Sequence, residues 1–514
     1  MIDFDYLIKK QDNVIKEVIE KQCTDEKSLW YGGFNPADEI SRTEFILSAL
    51  PIYADRRSEY YKNSEILGRM KLNIENLLKF QHKSGLISLM DCNINSPPDT
   101  AFAINDLAIC HYFIKKTNMP ELEPLDKDIL KFMEISKKGL TEGGFHTPNH
   151  RWVISCALGF LYDIFGDEKL KTRTSEYLAE GIDINEDGEW TERSNACYNA
   201  VSDLYMYHIG ENFGIEEAFD AVRKNLEMMK YLLHPNDYIA TEYSTRQDKG
   251  KIAHMDARYT IVYQLMAGKY NDEEMAYMAQ LGIKNNKNFG KLLLYSGVYE
   301  EFMHADVRAK KISNSYIKLF GEKNVAEVPK QKSTFGDSVL RYRNADLSVT
   351  IMAGQPDFIF FQYGNARIFG IRLVVGWFGL GGVSFPTIEK VNDTTYRLFA
   401  QAYGKYWQTF DKNTAEKYKG NFSKMPNDER EDIGKVSFSA ECVVSLENDG
   451  LSLEISVDSE YLLFTQLVCM LDARGTLETD DKTELRENVT RQNSSKSVYS
   501  CDNSKIEIIG GGIE

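Results

Sequence analysis

Through residues 1–300 the apolar positions recur at helical spacing, and after about residue 330 they alternate as in strands. Residues 1–22 read as an amphipathic helix. Residues 65–82 place Ile66, Leu67, Met70, Ile74, Leu77 and Leu78 on one face of another. Between them, SLWYGGFNPADEISRTEF carries Gly-Gly and Asn-Pro, which predict a loop leading into a further helix. The stretch SLMDCNINSPPDTAFAINDLA predicts a polar loop with a double proline and a helix restarting at Asp99 or Thr100. Helical patterns follow near 125–139, 149–166, 168–180, 196–209, 215–233, 255–267, 271–282 and 287–300. About a dozen helices with short connections predict stacked antiparallel hairpins. No fixed-period repeat is present, so a closed or partly closed α/α toroid is expected rather than a solenoid.

Beyond residue 330, STFGDSVLRYRNADLSVTIMAG, PDFIFFQYGNARIFGIRLVVGWFG, KVSFSAECVVSLENDGLSLEISV and EYLLFTQLVCML alternate between turn signals. The expected fold class is therefore α+β multidomain, with an N-terminal α/α toroid over 1–328 and an antiparallel β-sandwich over 329–514. The chain stops on a strand-like run, SKIEIIGGGIE, so a short or truncated sandwich is expected. The glycines of GWFGLGG do not follow a strand-to-helix dinucleotide pattern.

Composition narrows the function classes. The chain has 514 residues, 43% hydrophobic and 27% charged, enough for two or three domains with large cores. The balance of 61 basic to 77 acidic residues, net −16, argues against nucleic-acid binding through a basic surface. A polyanionic substrate would need a locally basic cleft. The N-terminus is charged throughout and lacks the apolar core of a signal peptide, and no stretch is apolar enough to span a membrane. A cytoplasmic protein without a membrane partner is expected, with homo-oligomerisation left open. The eight cysteines form no CxxC pair, so reduced core thiols are expected and a zinc cluster is not.

The candidate chemistry lies in TPNHRWVISCALGFLYDIFGD and ERSNACYNAVSDLYMY. After Pro148, the positions Val153, Cys156, Ala157, Phe160, Leu161 and Ile164 form one buried helical face, which puts Asn149 and His150 in the first turn. The second pattern buries Cys197, Val201, Leu204 and Tyr205, while Tyr198 and Ser202 share an adjoining, more polar stripe. On the residues alone, a helix cap for Asn149 and a satisfied first-turn side chain for His150 are the favoured readings over catalysis.

An Asn-His pair on one helix with a tyrosine on a later one resembles the heparinase II/III-like polysaccharide lyases and their alginate-lyase relatives, in which a helical toroid precedes a β-sandwich. The resemblance implies that Asn149 and His150 bind a uronate carboxylate and that Tyr198 exchanges protons at the scissile bond of an acidic oligosaccharide. Elimination removes the proton on C5, a weak carbon acid beside that carboxylate. Donors that neutralise the carboxylate let negative charge spread into an enolate-like form. A base must reach C5–H and an acid must protonate the leaving oxygen. A tyrosine ionises near pH 10 and needs cationic neighbours to act as a base; Arg151 and Arg193 are candidates. Where many relatives carry a histidine-rich segment this chain reads FFQYGNARIFG, and it has no histidine after His304. A second proton-transfer group is therefore expected from a helical-domain histidine or from a tyrosine such as Tyr363.

Further substrate contacts are expected from ATEYSTRQDKGKIAHMDARYTIVYQ, where Tyr243, Arg246, His254 and Arg258 either complete a cleft or form structural ion pairs. Trp30 beside Gly32 and Gly33 is a sugar-stacking platform or loop packing; Asn93, Asn95 and Asp99 border the cleft or cap a loop. Asp183, Asn185 and Asp187 match the first half of a calcium loop, but the position for the bidentate Glu is Ser194, so a tight turn and no cofactor are expected. Two rivals remain. One is a glycoside hydrolase drawing two carboxylates from Asp99, Asp187, Glu189 and Glu192. The other is a glycan-binding protein without catalysis.

Overall fold

The computed structural model describes residues 2–35, 42–89, 91–321, 337–479, 482–486, 489–492 and 496–510. The chain divides into two compact units. The first comprises Met1–Leu233 and Asp237–Ser313, and the second His234–Asn236 and Asn314–Glu514.

The first unit is helical: α1 (Phe4–Lys21), α2 (Glu44–Ala54), α3 (Ser64–Lys79), α4 (Pro97–Thr117), α5 (Glu123–Glu142), α6 (Pro148–Phe165), α7 (Glu168–Ala179), α8 (Tyr198–Phe213), α9 (Glu216–Met229), α10 (Ala257–Tyr270), α11 (Glu273–Asn285), α12 (Gly290–Val298) and the single turn α13 (Glu300–Met303). Side-chain caps fix many starts: Asp3, Asn63, Ser96, Asp167, Asp256 and Asp272 each accept from backbone N–H groups of the first turn. Left-handed residues end others, Gly166 after α6 and Gly214 after α8 among them.

Alternate helices close a ring. Helix α2 packs on α4, α4 on α6, α6 on α8, α8 on α10, α10 on α12, and α12 again on α2. The intervening helices pack outside, α1 on α2, α5 on α4 and α6, α9 on α8, and α11 on α10. This is the expected α/α toroid. An inner helix touches ring neighbours on its flanks and an outer helix behind. Polar residues such as Asn149, Ser155, Ser202 and Asp203 are therefore buried along α6 and α8 together with the apolar ones.

The polar loop expected before Asp99 instead contains an antiparallel hairpin, β1 (Ile87–Leu89) with β2 (Asn93–Ser96). Among the described residues no helix is long and apolar enough to cross a membrane. The eight cysteines are free thiols, with Cys110, Cys156, Cys442 and Cys501 buried.

The second unit is an antiparallel β-sandwich. One sheet joins β3 (Ser315–Phe320), β4 (Val339–Asn344), β5 (Leu347–Met352), β6 (Asp357–Tyr363) and β7 (Ala366–Val375), with the two-residue β8 (Gly381–Gly382) on β7. Its far edge is a later strand, Thr465–Leu471, also on β7. A second sheet joins β9 (Ile388–Lys390), β10 (Thr395–Trp407), β11 (Asp432–Leu446) and β12 (Leu451–Ser459). Alternate residues of both sheets, Val349, Ile351 and Phe361 with Leu398, Ala400, Phe438 and Cys442, share one buried core. Strand β3 lies ahead of the expected start of the sandwich, where no strand was foreseen. The expected boundary at 328 falls in 322–336, outside the described residues.

Candidate active site

The site assembles in the helical unit where α6 and α8 begin. Pro148 starts α6 after Thr147, and Asn149 follows, 1% exposed. Its backbone N–H donates to Glu192 Oε2 at 3.1 Å, and its amide Nδ2 donates to the same oxygen and to Thr147 Oγ1 at 3.2 Å. Both amide N–H groups are thus engaged. The atom left without a partner, though buried, is Asn149 Oδ1. The expected donor to a substrate carboxylate thus lies against a protein carboxylate in this structure.

Glu192 also links the pair to Tyr198. Its Oε1 lies 3.2 Å from Nε of Arg246, whose guanidinium sits 5.2 Å from the centroid of the Tyr198 ring. The Tyr198 hydroxyl accepts from Gln247 Nε2 at 2.5 Å. Two loops hold this arrangement. Thr245 donates through N–H to the Arg193 carbonyl at 2.9 Å and through Oγ1 to the Glu192 carbonyl at 2.8 Å. Asp248 accepts from Ser194 Oγ at 2.8 Å and from the Ala196 N–H at 3.1 Å, and Ser194 Oγ in turn accepts from the Tyr198 N–H that opens α8.

His150, beside Asn149, presents its ring edge-on to His146 at 4.7 Å and to Phe102 at 6.5 Å. Its Nδ1 is buried without a partner. Burial, with His146 and Arg246 adding to it and Asp99 opposing, lowers its pKa from 6.5 to about 4. The ring is neutral at pH 7. The site therefore offers a neutral imidazole, a phenol, an orphan amide oxygen and the outer edge of Arg246, whose side chain is 34% exposed.

The other candidates are held elsewhere. Arg151 lies over Trp152 and pairs with Asp183 at 2.8 Å and Glu180 at 3.2 Å. Arg193 is fully buried with a left-handed backbone (φ 46°); it pairs with Glu189 at 2.8 Å and lies over the buried Tyr243 ring. The cation seen over the Tyr198 ring is Arg246. His254 packs on Tyr238 with Nδ1 facing the Asp237 carbonyl at 3.1 Å. Arg258 is bound to Asp256, Trp30 stacks on Phe80, and Asn95, in β2, accepts from Ser84 Oγ ahead of the hairpin. Tyr363 ends β6 in the other unit, 40% exposed.

The acidic turn is structural. Asp183 accepts from Trp152 Nε1 at 2.8 Å as well as pairing with Arg151, and Asn185 Oδ1 receives the Glu189 N–H. Gly188 (φ 92°) packs so closely on the Lys224 carbonyl that a Cβ would not fit. Among the described residues no three His, Cys, Asp or Glu side chains are grouped to hold a metal.

Sequence reading missed Gln247, Phe102 and His146, and it placed Glu192 only as a hydrolase acid. The polar run containing Arg246 carried a signal for Gln247. Nothing in the spacing tied Glu192 to Asn149, 43 residues away.

The chain matches no family model and no curated protein sequence. Its fold is similar to that of solved polysaccharide lyases. A Paenibacillus xanthan lyase aligns with a TM-score of 0.56 at 8% identity over 99% of this chain and 52% of that one. A Streptomyces coelicolor A3 chondroitin AC lyase, in complex with chondroitin sulphate, aligns at 0.52 and 8% identity over 88% and 66%. The chain thus spans about half to two thirds of the length of these lyases, and at such identity the likeness establishes a shared fold of helical toroid followed by antiparallel β-sheets.

Proposed function

We propose that this protein is a carbon-oxygen lyase that cleaves acidic glycans at a uronic acid by β-elimination. The reading is carried by one observation: Asn149, Glu192, Arg246 and Tyr198 form a continuous chain of contacts, with a neutral His150 at its head. The likeness in fold to solved lyases and the resemblance of the Asn-His and Tyr motifs to heparinase II/III-like enzymes support it.

In this reading the uronate carboxylate lies against the outer edge of Arg246, whose positive charge disperses the charge that develops as C5 loses its proton. Tyr198 and His150 are the proton-transfer groups. One takes the C5 proton, the C5–H electron pair forms the C4=C5 double bond, the C4–O bond breaks, and the other protonates the departing oxygen. Asn149 Oδ1, the buried acceptor without a partner, receives a substrate hydroxyl. Glu192 touches no reacting atom; it positions Asn149 and Arg246.

A hydrolase would need a free acid and a free base. Of the four carboxylates named for that rival, Glu189 is ion-paired to Arg193, Glu192 to Arg246, and Asp99 accepts from Asn93 and Ser96. The test is ultraviolet absorbance with a panel of uronate oligosaccharides. A rise from the unsaturated product, lost in Tyr198→Phe and His150→Ala, is the expected result. Reducing ends without that absorbance would replace elimination by hydrolysis.

A further inference from the structure

The two sheets of the second unit run on past the core they share. In the four-stranded sheet, β12 ends its pairing at Ser459, opposite Phe438, and β9 pairs no farther than Leu398. Strands β10 and β11 continue alone as a two-stranded ribbon, with Gly404 opposite Val436, Tyr406 opposite Ile433 and Trp407 opposite Asp432. From Lys405 to Ser437 no residue is buried. A two-stranded ribbon without cover is marginal in water. In the other sheet, the edge strand Thr465–Leu471 pairs only with β7 among the described residues, and its Leu467, opposite the buried Leu373, is half-exposed.

The glycine-rich turn between β7 and β8 joins the two. Gly376 donates through its N–H to the Phe464 carbonyl at 2.8 Å. Phe378 has a left-handed backbone (φ 38°), which is strained in a residue with a side chain. Its half-exposed ring lies over Gly404, where a Cβ would collide with it, and 5.3 Å from the Tyr406 ring. An apolar patch thus runs from the edge strand across the turn to the ribbon. Phe378, Tyr406, Ile433, Leu462, Phe464 and Leu467 are each exposed by 41% or more. At roughly 200 Å² for a whole side chain of this kind, they leave on the order of 700 Å² uncovered, close to the ~800 Å² that each partner contributes to a stable interface.

Charge selects the occupant. The chain carries net −16, so two copies repel over most of their surface. This face is nearly neutral: Tyr461 to Leu471 includes no charged residue, and Lys405 to Ser437 holds seven basic and six acidic ones. An anionic membrane or a polyanion would find no basic excess here. A second copy meets an uncharged apolar face identical to its own, as a two-fold contact requires.

We infer that two copies of this chain associate through this end of the β-sandwich, the ribbon of each covering the edge strand and glycine-rich turn of the other. The inference goes beyond the lyase reading, and neither depends on the other.

Sedimentation velocity of the full chain across a wide range of concentration tests it. A reversible dimer is expected. Phe464→Glu and Tyr406→Glu, both at exposed positions, should each raise its dissociation constant by about a hundredfold or more, because each sets like charges into an apolar contact. Val391→Glu, also exposed but ahead of the opposite end of β10, should leave it unchanged. If either patch variant fails to fold, hydrogen exchange of the natural protein decides: amides of 405–437 should be protected in the dimer and exchange fast on dilution. A chain that stays monomeric at every concentration overturns the proposal, as does a dimer that both patch variants leave intact or that Val391→Glu weakens equally. Exchange in 405–437 that ignores dilution, or a monomer held by polysaccharide or lipid vesicles through the same side chains, overturns it too.

Discussion

One carboxylate oxygen, Glu192 Oε2, receives both the backbone N–H and the side-chain amide of Asn149, and through its other oxygen the same carboxylate holds Arg246. Glu192 therefore sets the orientation of two groups, one of which, Arg246, meets the Tyr198 ring. Glu192→Gln keeps the shape but loses the charge that holds Arg246. Turnover should fall about a hundredfold with a smaller change in KM, because positioning acts mainly in the transition state. Stability should fall by about 1.5–3 kcal/mol, the range for charge-assisted hydrogen bonds. Steady-state kinetics and urea unfolding on the same preparation check both numbers; equal losses in kcat and stability from Asn149→Asp would extend the argument to the other partner.

Tyr198 sits at the first position of α8, and its hydroxyl accepts from the exposed Gln247. Removing that oxygen leaves no buried polar group behind, so Tyr198→Phe should change stability by less than about 1 kcal/mol. Elimination should nevertheless drop by two orders of magnitude or more, on the order expected for loss of a general acid or base. A melting temperature that falls along with the rate would make Tyr198 a structural residue.

His150 gives the reading a pH signature. Its native pKa, about 4, lies below the 6.5 of an unperturbed histidine, so between these values the unfolded chain binds more protons than the folded one. The neutral form's stabilisation is thus complete above pH 6.5 and is lost as pH falls towards 4. The loss is at most about 3.5 kcal/mol, from roughly 1.4 kcal/mol per unit. His208, buried in the ring and lowered to about 3, adds a loss of the same sign. In His150→Gln the first contribution disappears while the second stays. Urea midpoints at pH 7 and pH 4.5 should therefore differ less in the variant than in the natural protein. The rate profile should show no protonation limb between pH 6 and 7.

The toroid was legible because helix caps and the i, i+3, i+4 rhythm are local, and the sandwich because alternation is local too. What stayed hidden was set by distant partners. Arg151, Arg193 and Arg246 look alike in sequence, yet their acids are Asp183, Glu189 and Glu192, and only the fold decides which guanidinium reaches Tyr198. The helical rhythm alone puts Asn149 and His150 in the first turn of α6. The direction of the Asn149 amide could not be read, because Glu192 arrives from another loop. Strand β3 was missed for the same reason: Ser315–Phe320 is short, and it is a strand because β4 pairs with it.

Arg193 and Arg246 should fail in opposite ways. Arg193 is fully buried, its backbone is left-handed, and it is ion-paired to the buried Glu189. Arg193→Gln removes one side of that buried pair, and breaking a buried pair costs about 3–5 kcal/mol. Arg246 has a third of its side chain in solvent, and its pair with Glu192 contributes about 1 kcal/mol or less to folding. Arg246→Gln should therefore unfold at nearly the natural urea concentration while losing most of its turnover, and Arg246→Lys should recover part of that turnover by restoring the charge without the planar fork. Arg193→Gln should show a lowered urea midpoint, with activity per folded molecule largely kept. If Arg246→Gln retains full turnover, the uronate carboxylate is received by another group and the roles assigned around Tyr198 fall with it.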